Sequence, residues 1–139
     1  MFLSRIAHRL YCEPWQILPD VWRAFHLQFQ AHIAAPQPTI LQQQEGDDDS
    51  NPARYYEAGS GVAIHAVQGV IGKHLSLLES MCGGYDLAQL GGALEQAKTD
   101  PNVRAMVLYM DSPGGIALGL EEAGRQIRDF AAVKPIVTY

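Results

Sequence analysis

Ala105-Met106-Val107-Leu108-Tyr109-Met110-Asp111-Ser112-Pro113-Gly114-Gly115 is the stretch whose reading decides the fold. Its first six residues form a short continuous apolar run, as in a strand buried on both faces of a parallel sheet. Beyond the glycines, Leu120, Ala123, Ile127 and Phe130 recur at helical spacing, with Glu121, Glu122, Arg125 and Arg128 on the other side. The stretch therefore predicts a strand, a tight turn and an amphipathic helix. Two adjacent glycines at such a turn let backbone N–H groups face open space, because no Cβ blocks a ligand. The helix behind them is expected to add the positive end of its dipole. Such a turn suits a negative oxygen, and holding a developing oxyanion is usually the largest single term in acyl-transfer catalysis.

Working outward, Val62 to Val67 reads as a first strand, which Gln68-Gly69 through Gly72 continue or bend. Asp86 is placed to cap a helix, with Gln89 three residues on completing a capping-box pattern. Leu87, Leu90, Leu94 and Ala97 give that helix its buried stripe. Gly91 and Gly92 each cost it about 1 kcal/mol relative to alanine, which close packing against a sheet or plain surface tolerance would equally explain. Strands alternating with helices imply parallel pairing and right-handed crossovers. Ligands in such sheets bind at the carboxyl ends of strands, where Ser112 to Gly115 fall.

Three zones follow. Residues 1–35 read as a helical N-terminal arm, residues 36–60 as a flexible linker, and residues 61–139 as the α/β unit. In the arm, Phe2, Leu3, Ile6 and Leu10 could form one apolar stripe; a second helix opens at Asp20, after Pro19, with Val21, Phe25, Phe29 and Ile33 on one side. The linker holds Pro36, Pro38, Gln42-Gln43-Gln44 and Asp47-Asp48-Asp49, too little apolar content to pack. Limited proteolysis is expected to nick it first.

A chain of 139 residues suits one domain at most, and 47% hydrophobic content is ordinary for a globular protein. A net charge of −5 argues against nucleic acid as the main partner, which would need a basic footprint. Cys12 and Cys82 are too few and too far apart for a disulfide framework, which fits a reduced, intracellular setting. No run reaches the ~20 apolar residues of a membrane span. Arg5 and Arg9 are basic, but Ser4, His8 and Glu13 interrupt any signal-peptide core.

The chemically tempting side chains have plainer readings. Ser112 and its direct neighbour Asp111 cannot form a hydroxyl–imidazole–carboxylate relay, and no glycine two positions earlier makes a nucleophile elbow. Pro113 confines Ser112 to extended geometry, so it reads as a turn former. His65, inside an apolar strand, reads as a core histidine, and Lys73 and His74 as loop residues after Gly72. Cys82 has no partner at metal-ligand spacing, and the Asp47–Asp49 run lacks the glycine and distal glutamate of a calcium loop. No metal or organic cofactor is expected.

The ordered segments Val62-Ala-Ile-His-Ala-Val-Gln-Gly-Val-Ile-Gly72, Gly83-Gly-Tyr-Asp-Leu87, Asp100-Pro-Asn-Val103, Leu108-Tyr-Met-Asp-Ser-Pro-Gly-Gly115 and Lys134-Pro-Ile-Val137 resemble the S49 serine peptidases. That family includes signal peptide peptidase A and the head-maturation, or capsid assembly, proteases of tailed phages. The resemblance covers residues 61–139, and Tyr11-Cys-Glu-Pro-Trp15 resembles the leader that precedes the protease domain in the phage branch. It implies an α/β fold of the Clp protease/crotonase type, a parallel sheet with flanking helices. In the family the nucleophilic serine lies beyond the strand opened by Lys134-Pro135, and the general-base lysine further on. The chain thus resembles an N-terminal fragment, truncated within the third strand and inactive alone.

The resemblance implies a serine endopeptidase that hydrolyses peptide bonds by acyl transfer, with a Ser/Lys dyad beyond Tyr139. Gly114 and Gly115 would form the oxyanion hole, and Ile116 would lie along the substrate backbone. Scaffold, portal or capsid proteins are the implied substrates, homo-oligomers the implied assembly, and the bacterial cytoplasm or phage procapsid the implied location. Signal peptide peptidases are typically membrane-anchored, so the lack of an anchor favours the phage branch. Two other readings stay open. One is a crotonase-type acyl-CoA enzyme, faintly echoed by Cys82-Gly-Gly-Tyr-Asp-Leu87 and testable by acyl-CoA binding. The other is a non-catalytic assembly module, excluded if a Ser-Ala segment and a lysine follow Tyr139.

Overall fold

The computed structural model describes residues 8–34 and 55–139. The apolar stripe of Phe2, Leu3 and Ile6, most of the 36–60 linker, and the side chains of Phe29 and Ile33 lie outside the described residues. In chain order the elements are α1 (residues 8–12), β1 (Trp15–Ile17), α2 (Pro19–Ala34), β2 (Tyr56–Ala58), β3 (Val62–Gln68), β4 (Val70–Gly72), α3 (Leu77–Met81), β5 (Gly84–Asp86), α4 (Leu87–Thr99), β6 (Ala105–Asp111), β7 (Gly114–Ile116), α5 (Leu120–Ala131) and β8 (Ile136–Thr138).

The result is an α/β architecture of two mostly parallel sheets flanked by helices, compatible with a Clp/crotonase-like fold. The larger sheet runs β2-β3-β6-β8, with β3 and β6 parallel over seven residues from Val62↔Ala105 to Gln68↔Asp111. β8 joins β6 in parallel, and β2 adds antiparallel to β3. The smaller sheet runs β1-β7-β4-β5, parallel except where β1 meets β7. One core lies between the larger sheet and helices α4 and α5: Ala63, Val67, Met106 and Leu108 from the strands meet Leu90, Leu94, Ala97 and Phe130. Met106 and Phe130 are essentially sealed from solvent, so truncating Phe130 to alanine would cost on the order of 3–5 kcal/mol.

Two of the chain's passages between the sheets are direct strand-to-strand corners. At Gly69 (φ +96°) β3 ends and β4 begins in the other sheet; at Ser112-Pro113 β6 gives way to β7. A Cβ on Gly69 would lie 2.2 Å from the Gly83 carbonyl oxygen, so the bend requires glycine on both counts. Of the two expectations for Gln68 to Gly72, continuation or a bend, the structure has the bend: the strand breaks at Gly69.

Several local expectations need correction. The glycines do not lead directly into a helix: Gly114 to Ile116 form β7, and α5 starts only at Leu120, behind a turn closed by Gly119 (φ +93°). Sheet pairing on both sides of Gly115 captures the segment that the dipole argument gave to a helix N-terminus. The arm is not purely helical, because β1 lies between its two helices. It is also not detached: Leu10 and Phe25 form a second small core with Val70 and Cys82. The end of the expected linker, Tyr56–Ala58, is a strand paired to β3. Helix α2 opens at Pro19, whose missing N–H costs nothing at a first helical position, and its first carbonyl acceptor is Leu18. Asp20 sits inside the first turn rather than at the cap. Leu120 is 39% exposed and stands outside the stripe formed by Ala123, Ile127 and Phe130.

Asp86 does cap α4: its Oδ1 accepts from Ala88 N at 2.9 Å. The same carboxylate accepts from Leu75 N at 2.7 Å and His74 N at 3.2 Å, tying the β4–α3 loop to the helix. At the other end, Lys134 Nζ donates to the carbonyls of Ala97 and Asp100, both at 2.7 Å, where a cation complements the helix C-terminus.

Asp100 makes the neighbouring turn, accepting from Asn102 N at 2.8 Å and from the Tyr55 hydroxyl at 2.6 Å. The Tyr55 hydrogen bond first, then those from Asn102, hold its carboxyl below the usual range. A depressed native pKa stabilises the fold above the unfolded value, and that stability is lost as pH falls through the native one. Tyr55→Phe should therefore move the Asp100 titration upward, toward an ordinary carboxylate. A carbon-13 carboxyl titration followed by NMR would show this; an unmoved midpoint would contradict it.

Candidate functional site

The two strand-to-strand corners, at Gly69 and at Ser112-Pro113, are bonded to each other. Gly69 N donates to Asp111 O at 3.0 Å, continuing the β3–β6 ladder one step past its end. Ser112 Oγ donates to Gly69 O at 2.7 Å and accepts from Gly114 N at 3.2 Å. Ser112 thus braces the turn across 43 residues of sequence. Its hydroxyl is committed to backbone partners, and the Gly114 N–H is committed to Ser112.

Past the brace, both glycines are required by contact. Gly114 has φ +110°, a conformation side chains rarely adopt, and a Cβ there would lie 2.0 Å from Gln16 O of β1. Gly115 has ordinary φ, but its Cβ would lie 2.0 Å from Ile71 O and 2.7 Å from Ile71 N in β4. β7 is therefore a strand squeezed between two backbones. In an antiparallel pair, hydrogen-bonded and non-hydrogen-bonded positions alternate. Ala117 N donates to Pro14 O at 3.1 Å and Leu18 N to Pro113 O at 3.3 Å. Between those bonds the register pairs Gln16 with Gly115, so the Gly115 N–H and C=O face β1, away from β4.

Of the three residues singled out in sequence, Gly114 and Gly115 therefore lie side by side at the corner, with only the Gly115 N–H turned toward the sheet's outer strand. Ile116 follows in the same strand, but its side chain is in the core at 2% exposure. Any contact it makes with an extended polypeptide runs through the flanking backbone of Gly115 and Ala117.

The other tempting residues are held in structural pairs. His65 is buried and shares a 2.6 Å hydrogen bond between Nε2 and the Tyr85 hydroxyl. Burial, then the neighbouring Asp86 charge, raises the Tyr85 pKa, so that hydroxyl stays protonated. Lys73 pairs with Glu122 across a cleft of 260 Å³ lined by His74, Leu87, Gly91 and Gly119. The Lys73 hydrogen bond and charge hold the Glu122 carboxyl below its ordinary range. Burial, then the Glu79 charge, raises the Cys82 thiol pKa, which favours its protonated form. Among the described residues no group of three His, Cys, Asp or Glu could hold a metal ion, and no helix is long and apolar enough to cross a membrane.

A feature that sequence reasoning missed seats the arm beside the corner. Arg9 and Glu79, both buried, pair at 3.3 Å. Arg9 also donates to His74 O at 3.0 Å, and Glu79 accepts from Ser76 N and Ser76 Oγ, both at 2.7 Å. Trp15 Nε1 donates to Arg9 O at 3.3 Å. Seventy residues separate the two charges, and no local pattern marks either one as buried.

Comparison with known proteins finds two phage proteins to which this chain is similar. It is 29% identical over 96% of its length to the head-tail preconnector protein GP5 of Enterobacteria phage P21. It is 28% identical, again over 96%, to capsid assembly protease C of Escherichia phage lambda. The matched regions cover 30% and 34% of those proteins, so the chain spans about a third of the length of the curated relatives it matches. No protein-family model matches it, and no solved structure does.

Proposed function

We propose that this chain carries the substrate strand and oxyanion-holding turn of an S49-type serine endopeptidase that acts in phage capsid maturation. The observation that carries the proposal is the Gly115 N–H, which a braced, glycine-only corner turns toward the backbone of an extended neighbour, the outer strand β1. The similarity to a capsid assembly protease supports the same reading. In it, a substrate peptide pairs along the side of β7 that β1 covers, by the backbone addition that extended peptides make at sheet edges elsewhere. Gly114 shapes the turn, Gly115 donates to the carbonyl oxygen as charge develops, and Ile116 anchors the strand through its buried side chain. A serine downstream of Tyr139 attacks the peptide carbonyl and a lysine takes its proton. Scaffold, portal or capsid proteins are the substrates, within a procapsid and as part of a homo-oligomer.

A serine-directed phosphonate tests this. Applied to the full-length gene product, it is expected to label one serine downstream of Tyr139, located by peptide mass spectrometry. Applied to residues 1–139 alone it should label none of Ser4, Ser50, Ser60, Ser76, Ser80 or Ser112. Stoichiometric labelling at Ser112 would overturn the role given to the turn. A full-length protein that never labels would leave an assembly module as the better reading.

A further inference from the structure

β1 occupies the edge along which the proposed substrate would lie. It is the outermost strand of the smaller sheet, so removing it would expose β7 without breaking any other pairing. Residues 14–18 run antiparallel to residues 113–117, with Ala117 N bonded to Pro14 O at one end and Leu18 N to Pro113 O at the other. Gln16 pairs with Gly115, which brings the Gln16 carbonyl oxygen to the N–H proposed to hold the oxyanion. The absence of a side chain at Gly114 is what lets Gln16 O approach so closely.

The segment is held there by more than its ladder. Pro14 and Pro19 bracket it and restrict their neighbours to extended backbone. Trp15 and Ile17 pack against the small core of Leu10, Phe25, Val70 and Cys82. The Arg9–Glu79 pair fixes the helix that precedes it.

We infer that residues 14–18 are a built-in competitor for the peptide-binding edge of β7, filling it in cis until another extended polypeptide displaces them. The inference rests on the reading of Gly115 as the donor that meets a substrate carbonyl. Its occupant class follows from the contact: backbone-to-backbone pairing selects an extended polypeptide, with small demand on the Gln16 side chain. Because the competitor is tethered, its effective concentration is in the millimolar range, and a free peptide must be abundant or bind more tightly to replace it.

Amide hydrogen exchange followed by NMR, with a fluorescent heptapeptide of sequence Glu-Pro-Trp-Gln-Ile-Leu-Pro, tests this on the intact 139-residue chain. Gln16→Pro removes the N–H that faces Gly115 O. It is expected to speed Gly115 exchange by about 100-fold and to tighten heptapeptide binding by at least about 10-fold. Gln16→Ala keeps the backbone and should match the wild type in both. If Gln16→Pro does not fold, the wild type serves: the heptapeptide at ~10 mM, in excess over the tether, should unprotect the Gln16 amide while Gly115 stays protected. Equal heptapeptide affinity in the wild type and Gln16→Pro overturns the inference, as does a Gln16 amide that stays protected under excess peptide. No bond need break in these measurements. A full-length protein that labels with phosphonate while β1 cannot be displaced loses only this inference. One that binds the heptapeptide at β7 and never labels loses only the proteolytic reading.

Discussion

Gly115→Ala is expected to cost about 4 kcal/mol or more, among the larger single-residue effects in a domain of this size. A Cβ at this position would lie 2.0 Å from Ile71 O and 2.7 Å from Ile71 C and N. These are backbone atoms of β4, a strand already paired to β5 on its other side, so they cannot retreat without breaking the smaller sheet. Gly114→Ala has a different neighbour. Its Cβ would strike Gln16 O and approach Ile17 Cα at 3.0 Å, both in β1. The arm can swing away where β4 cannot, so this variant should lose the arm and keep the sheet, at a backbone cost of about 1–2 kcal/mol for a side chain at positive φ. Urea unfolding of both variants, with Gly115 exchange as a second probe, measures the difference. Equal losses would show that the two glycines are not held by different strands.

The turn at Ser112 to Gly115 was legible in the sequence because its parts are local: an apolar run, then Ser112-Pro113 and two glycines. β3 and α4 were legible for the same reason, each declaring its period and, for α4, its Asp86 cap within a dozen residues. What stayed hidden was non-local. β7 is three residues long and contains two glycines, so it has no periodicity of its own. It is a strand because Ile71 and Gln16 lie on either side of it. β1 is equally short, and its residues Trp15-Gln16-Ile17 carry no signal that a partner waits 100 residues away. The brace at Ser112 shows the same limit. The sequence marked it as a turn former, but only the fold reveals that its hydroxyl ties one sheet-switching corner to the other.

The pair that seats the arm is the other site where one side chain should matter most. Glu79→Ala is expected to destabilise the protein by about 3–5 kcal/mol, the range for removing one partner of a buried ion pair. Arg9 and Glu79 side chains are 11% and 7% exposed, so water cannot replace the lost partner. Arg9 would keep only the His74 carbonyl at 3.0 Å and a distant contact to Glu13 at 3.9 Å. Ser76 would lose two acceptor contacts at the start of α3, so the helix loosens as well. Being buried, the pair should respond little to added salt, unlike the exposed Arg23–Asp20 pair on α2. Replacing both charges at once, Arg9→Met with Glu79→Leu, should recover most of the loss, because an apolar pair of similar volume needs no desolvation of charge. A double-mutant cycle by chemical denaturation gives the coupling directly. The Cys82 thiol supplies an independent reading: Glu79 helps raise its pKa, so Glu79→Gln should lower the pH at which Cys82 becomes reactive toward a maleimide. Additive losses in the cycle, with an unmoved Cys82 profile, would mean that the arm is held by its apolar contacts alone.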